Sequence, residues 1–223
     1  MTERGAAYRL LSWLSPNFPV GAFSYSHGLE QAVEVGRVAT PTALVEWIET
    51  VLLLGMGRTD GLFFREAYRA ANEDDAERLA EIAILAAAFQ PTAEFALESH
   101  AQGAAFLRAV TSAWPAGNLP ALTPPVAYPV AVAVACSAHG ITLTEGLHAY
   151  FHALAANLIS AGLRLIPLGQ TDGQLTLARL EASVAATTDQ ALAIPFDDLG
   201  SAAPVIEFAS MSHETQYTRL FRS

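Results

Sequence analysis

The stretch VAYPVAVAVACSA, Val126 to Ala138, carries no charged side chain. A helix of that composition has no polar face to turn to water, so it must lie at the centre of a bundle or inside an interface. Gly140 is placed to end it. The overlapping run free of charge and proline, Val130 to Thr144, contains Ser137, His139 and Gly140 and is too short and too polar to cross a bilayer.

Helix signals fill the rest of the chain. Leu10, Leu11, Trp13 and Leu14 fall within a short helix that Pro16 closes, and after a proline loop a second helix is expected from near Ser24 to near Gly36. Thr40-Pro41 opens a third, carrying Leu44, Val45, Ile48, Val51 and Leu52 and ending at Gly55-Met56-Gly57. Arg58 to Asn72 reads as the next, with Leu62, Ala67 and Tyr68 inside and Arg65, Glu66 and Arg69 outside. The acidic cluster at Glu73, Asp74, Asp75 and Glu77 suits a helix N-terminus, and Thr92 starts a long helix to about Ser112.

Trp114 to Pro125 holds four prolines and is the main internal loop. Thr142 and Glu145 have capping-box spacing before a helix through Arg164, and Thr171 with Gln174 repeats the spacing. Leu175 and Leu177 alternate as in a strand, without a partner strand in view. From Thr187 the chain is expected to turn irregular. The fold class that follows is all-α, a single-domain bundle of roughly ten helices over residues 1–204 with residues 205–223 as a C-terminal tail.

Hydrophobic residues make up 52% of the 223 and charged residues 15%, which excludes disorder and implies a large buried fraction, part of it available for an oligomer interface. One cysteine, Cys136, excludes a disulfide framework and any CxxC metal or redox motif. No signal peptide precedes Pro16, so a soluble, cytoplasmic protein is expected. A net charge of −10 argues against a nucleic-acid partner. All 12 basic residues are arginine. Without lysine the chain cannot build a P-loop, a pyridoxal Schiff base or a kinase site.

Two groupings invite a chemical reading. His148 and His152 stand four apart on one helix face and are weak metal-ligand candidates, lacking a third matching ligand. Ser24 and Ser26, beside His27, suggest a serine hydrolase, but the nucleophile elbow needs a strand before it and none is expected. Their simpler role is helix capping. No catalytic residue and no bound cofactor are assigned.

Two segments remain. Leu14 to Glu30, LSPNFPVGAFSYSHGLE, is a proline loop in which Pro16 and Pro19 should hold Ser15 to Gly21 extended and Phe18, Phe23 and Tyr25 must pack on the body or on a partner. Phe208 to Ser223 mixes Met211, Tyr217, Leu220 and Phe221 with Arg219 and Arg222, which fits either a segment docked on its own domain or a recognition tail.

Both segments resemble signatures of the urease accessory protein family UreF. Ser15, Pro16, Pro19, Gly21, Phe23, Ser26, Gly28, Leu29 and Glu30 match the first; Ser210, Met211, His213, Glu214, Thr215, Tyr217, Arg219, Leu220, Phe221 and Ser223 match the second. Arg164, Leu165, Pro167, Gly169 and Gln170, the Gly103-x-x-Phe106-Leu107 pattern and Thr59-Asp60 are similar to interior family segments. The resemblance implies an all-α homodimer without catalytic chemistry, which joins UreD, also called UreH, and the GTPase UreG so that GTP use is coupled to nickel insertion into apo-urease. Nickel is implied as cargo that passes through the complex. The implied partner-binding positions are Ser15, Pro16, Pro19, Gly21, Phe23, Tyr25, Gly28, Glu30, Arg164, Gln170, His213, Glu214, Tyr217, Arg219, Leu220, Phe221 and Ser223, so that residues 205–223 form a partner-binding tail. The tail around Tyr217 and Arg219 is expected to dock on UreD and become ordered there.

Overall fold

The computed structural model describes residues 3–223, and among these the regular structure is entirely helical. Eleven α-helices follow in order: α1 Glu3–Trp13, α2 Leu29–Glu34, α3 Pro41–Leu53, α4 Met56–Asn72, α5 Ala76–Ala88, α6 Ala93–Ala113, α7 Tyr128–Ala138, α8 Leu143–Leu165, α9 Gln170–Arg179, α10 Glu181–Ala193 and α11 Pro204–His213. Short 3-10 turns occupy Ala22–Ser24 and Phe196–Asp198.

The charge-free rod is the centre. In α7 every residue from Pro129 to Cys136 is buried, and the helix is enclosed by α4, α6 and α8. Each large apolar side chain so covered contributes roughly 1.5–3 kcal/mol. Beyond its C-terminus Gly140 takes φ +61, and the Ile141 amide donates back to the Cys136 carbonyl at 2.9 Å. That left-handed turn is the glycine stop read from the sequence. Gly103 lets α6 come close to the segment leading into α7, since a Cβ there would lie 2.2 Å from the Val126 carbonyl oxygen.

Local caps match the sequence where one side chain sets them. Thr40 and Thr92 each accept from the amide three residues on, at 3.2 and 3.1 Å. Thr142 and Glu145 form the reciprocal capping box of α8. Asp75 caps α5 from within the acidic cluster.

Elsewhere tertiary structure overrides the local reading. The proline loop is a succession of tight turns, with Phe18 N donating to Ser15 O and Val20 N to Phe18 O, rather than an extended strand. The helix expected from Ser24 begins only at Leu29, because His27 and Gly28 sit at φ 57 and 76 and a right-handed helix cannot run through them. The break after α3 falls at Leu54-Gly55, and Gly57 is already helical. Gly169, whose amide is held by Asp172, opens α9, so Thr171 lies inside the helix. Leu175 and Leu177 belong to α9, and α10 runs through Thr187 to Ala193.

Arg65 is buried instead of outside. It donates to the Ala191 and Ile194 carbonyls at 2.7 Å each, supplying the C-terminus of α10 with the donors that a helix end lacks. Phe18 packs against Phe106 and Trp114, the two rings that also meet Trp13, so the proline loop carries a core side chain. Among the described residues no helix is long and apolar enough to cross a membrane.

Candidate functional site

The proline loop and the last ten residues, more than 180 positions apart, close on one another over α6. Their meeting point is His213, at the end of α11 and fully buried. Its Nδ1 faces Glu94 at 2.9 Å, and its Nε2 faces Glu30 at 3.0 Å. A carboxylate only accepts, so while both acids are ionised each ring nitrogen must carry a proton, the imidazolium form. One imidazole ring therefore ties α2, α6 and α11 together.

The carboxylates also gather the backbone of the tail. Glu30 accepts from the Leu220 amide at 2.6 Å and the Phe221 amide at 2.9 Å, while Arg219 reaches Glu94 at 3.0 Å. Burial raises the Glu94 carboxyl above the usual carboxylate range, and the His213 bond and Arg219 oppose that rise. Ser26 donates through its amide and hydroxyl to the Ser223 carbonyl at 2.7 and 2.5 Å. Ser223 Oγ in turn donates to Glu98, which also accepts from Gln102.

Around this buried core the loop supports the tail from outside. Arg164 of α8 donates to the Phe23 carbonyl at 2.8 Å and lies over the Phe221 ring at 4.2 Å. The Arg222 amide donates to the Ser24 carbonyl, and its guanidinium sits near the Tyr25 ring. Gly28 permits the close seat of α11, because a Cβ there would press on Ser210 N and Ile206 O at 3.1 and 3.2 Å.

Comparison with known proteins matches the chain to a family. The model of the UreF family matches residues 38–181, or 144 of 223 residues. The urease accessory protein UreF of Bradyrhizobium diazoefficiens (strain USDA 110) is 51% identical over 225 residues, spanning 99% of this chain and 93% of its own length. The protein of the same name from Rhodopseudomonas palustris (strain HaA2) is 52% identical over 99% of this chain and 95% of its own, and that from Azorhizobium caulinodans 46% over 100% and 99%. The chain belongs to the UreF family. The pairwise matches span nearly the whole chain, so they take in both closing segments, which lie outside the residues covered by the family model.

Within this UreF-family fold the residues singled out from the sequence divide into two groups. Tyr25, Gly28, Glu30, His213, Phe221 and Ser223 are buried and hold the junction together. Pro16, Pro19, Phe23, Glu214, Tyr217, Arg219 and Leu220 are exposed, with Ser15 and Gly21 half-buried. Tyr217 is 103% exposed and Phe23 66%. The tail is thus already seated on its own domain with part of its aromatic surface turned outward. Arg164 sits between the two groups, and Gln170 is exposed at the start of α9.

Ser26 is not poised as a nucleophile on His27: Ser26 Oγ donates to the Ser223 carbonyl, and His27 turns its Nδ1 toward Glu98. Ser26 does accept from the Glu30 amide at 3.3 Å, but the N-cap of α2 is Gly28 rather than Ser24 or Ser26. His148 and His152 are exposed on α8, and no group of three or more His, Cys, Asp or Glu among the described residues converges to hold a metal.

Sequence reasoning gave Glu94, Glu98 and Asp60 no role of this kind. Asp60 is buried in α4, accepts from the Tyr150 hydroxyl at 2.6 Å, and is pushed up to about 7 by burial. The i, i+4, i+8 spacing of Glu94, Glu98 and Gln102 on one helix face was the available signal for a polar stripe on α6.

Proposed function

We infer that this protein is a urease-maturation adaptor, which bridges UreD (UreH) and the GTPase UreG and couples GTP hydrolysis to nickel insertion into apo-urease. It works in the cytoplasm as a homodimer and contributes no catalytic group of its own. The observation that carries the reading is the junction itself. Two segments that resemble family signatures are locked to each other by His213, Glu30 and Glu94, so that Phe23, Tyr217 and Leu220 reach the surface from a rigid support. Exposed aromatics on a rigid base suit a recognition surface, since ordering costs little on binding.

The interior supports a path for nickel as cargo. A cavity of about 350 Å³ lined by His27 and one of about 400 Å³ lined by Glu98, Gln102 and Tyr150 share Met56, and the His27–Glu98 pair spans them at 3.5 Å. An imidazole and a carboxylate are groups that a divalent ion can exchange between.

The test is co-purification of the full chain with UreD and UreG, with and without a GTP analogue. A nucleotide-dependent three-protein complex is expected, and removing residues 214–223 should abolish capture of UreD. Recovery of the stoichiometric UreD complex with the truncated chain would overturn the role given to the tail.

A further inference from the structure

Glu73, Asp74, Asp75 and Glu77 supply more charge than the start of α5 needs. One carboxylate caps the helix: Asp75 Oδ1 accepts from the Arg78 amide at 2.9 Å. All four residues are exposed, and among the described residues none of them forms an ion pair. Arg69 and Arg78, the nearest basic residues in the chain, both turn to Glu66 instead, and Arg78 also meets Glu81 and the Phe196 ring. Four like charges within five residues repel one another, and the fold leaves that repulsion uncompensated.

The cluster stands at one end of a groove of about 430 Å³ between α5 and residues 117–123. Asp74 and Asp75 line that end, Leu79, Ala83, Leu119 and Leu122 make the walls apolar, and Ile84, 71% exposed, marks the other end. From Asp75 to Ile84 the helix advances about 13 Å. The wall facing α5 carries no charged residue. Its Ala121, Leu122 and Thr123 form no hydrogen bond among the described residues, so their backbone groups are left open along the groove. Open backbone beside alternating apolar footholds is what an extended peptide pairs with.

We propose that this groove docks a short extended segment of a protein partner, which seats an aliphatic side chain near Ile84 and sets lysine or arginine against Glu73, Asp74 and Glu77. Charge complementarity names the occupant: a neutral segment would leave the carboxylates unpaired, and an acidic one would add to their repulsion. Four residues of extended chain cover about 13 Å, the length between the two ends. The groove shares no lining residue with the cavities around His27 and Tyr150 and lies apart from the His213 junction. The proposal rests on the adaptor reading only for the choice of partner proteins to test.

The probe is the peptide acetyl-Leu-Val-Lys-Leu-Lys-Arg-amide, with the lysines and arginine replaced by glutamate in its charge-inverted twin. Titrated into the full chain and followed by NMR, the basic peptide should shift the Ala83 and Leu122 amide signals saturably, and the acidic twin should leave them unmoved. Glu73→Gln, Asp74→Asn and Glu77→Gln together should weaken binding about tenfold, as three exposed pairs are lost. Asparagine tolerates the left-handed φ of 57 at position 74, and Asp75 is kept as the cap. Ala80→Trp, at an exposed position on the groove, should abolish peptide binding without lowering the melting temperature, and should weaken capture of UreD, UreG or apo-urease at least tenfold.

No saturable shift, or equal binding of the two peptides, would overturn the occupant. The same shifts produced by magnesium ion alone would assign the cluster to a cation instead, and loss of the homodimer in Ala80→Trp would assign the groove to a second copy of the chain; either result overturns the proposal. Undiminished capture of all three proteins by Ala80→Trp would overturn the groove's use in assembly and leave the adaptor reading standing. Failure of the wild-type chain to capture any of the three would overturn the adaptor reading, while saturable, charge-selective peptide binding would still uphold the groove.

Discussion

Asp60→Asn should flatten the alkaline side of the stability profile. Among the described residues no cation pairs with Asp60; its carboxylate accepts from the Tyr150 hydroxyl at 2.6 Å, and burial holds its carboxyl up at about 7. An unfolded aspartate titrates near 3.8. The folded state therefore binds the proton more tightly, and unfolding stability falls as pH rises: the benefit is complete below about pH 4 and is lost as pH passes through 7. A shift of this size corresponds to about 4 kcal/mol in total, of which roughly 2.5 kcal/mol falls between pH 5 and pH 8. Asparagine keeps an oxygen for Tyr150 and removes the titration. Urea unfolding of both proteins followed by circular dichroism across that range should give a wild-type minus variant difference that grows by this amount toward acid. Parallel profiles would refute the claim that Asp60 is held protonated.

Other perturbations test separate parts of the structure. Gly103→Ala drives a Cβ to 2.2 Å from the Val126 carbonyl oxygen, a backbone contact, so about 3 kcal/mol should be lost in chemical denaturation, the upper range for overpacking. Arg65→Ala leaves the Ala191 and Ile194 carbonyls without their donor and should cost about 3 kcal/mol, read as a lowered melting temperature. Tyr217→Ala, at a fully exposed position, should leave the melting temperature within about 1 °C while weakening UreD capture at least tenfold in a pull-down.

The parts of the fold legible from sequence are those decided within a few residues. Thr40, Thr92 and Thr142 cap the helices they precede because the partner amide is three positions away. The placing of α7 needed only its composition. The helix start at Leu29 was not legible, since the left-handed turn at His27 and Gly28 is imposed by α11 and the tail packing behind it. Arg65 looked like a surface residue because its partners, Ala191 and Ile194, lie more than 120 positions away. The site was legible as two separate segments. That Glu30 and His213 bond across 183 positions, with Glu94 of α6 completing the set, is a fact of topology that no local pattern carries.

Hydrogen exchange at the Leu220 and Phe221 amides tests most directly whether His213 locks the two segments together. Both amides donate to Glu30, so both should be protected in the wild type. His213→Ala removes the two buried hydrogen bonds that join Glu30 to Glu94, a loss of about 3 kcal/mol. Those two amides should then exchange roughly 100-fold faster. Equal rates in the two proteins, or no protection in the wild type, would contradict the account.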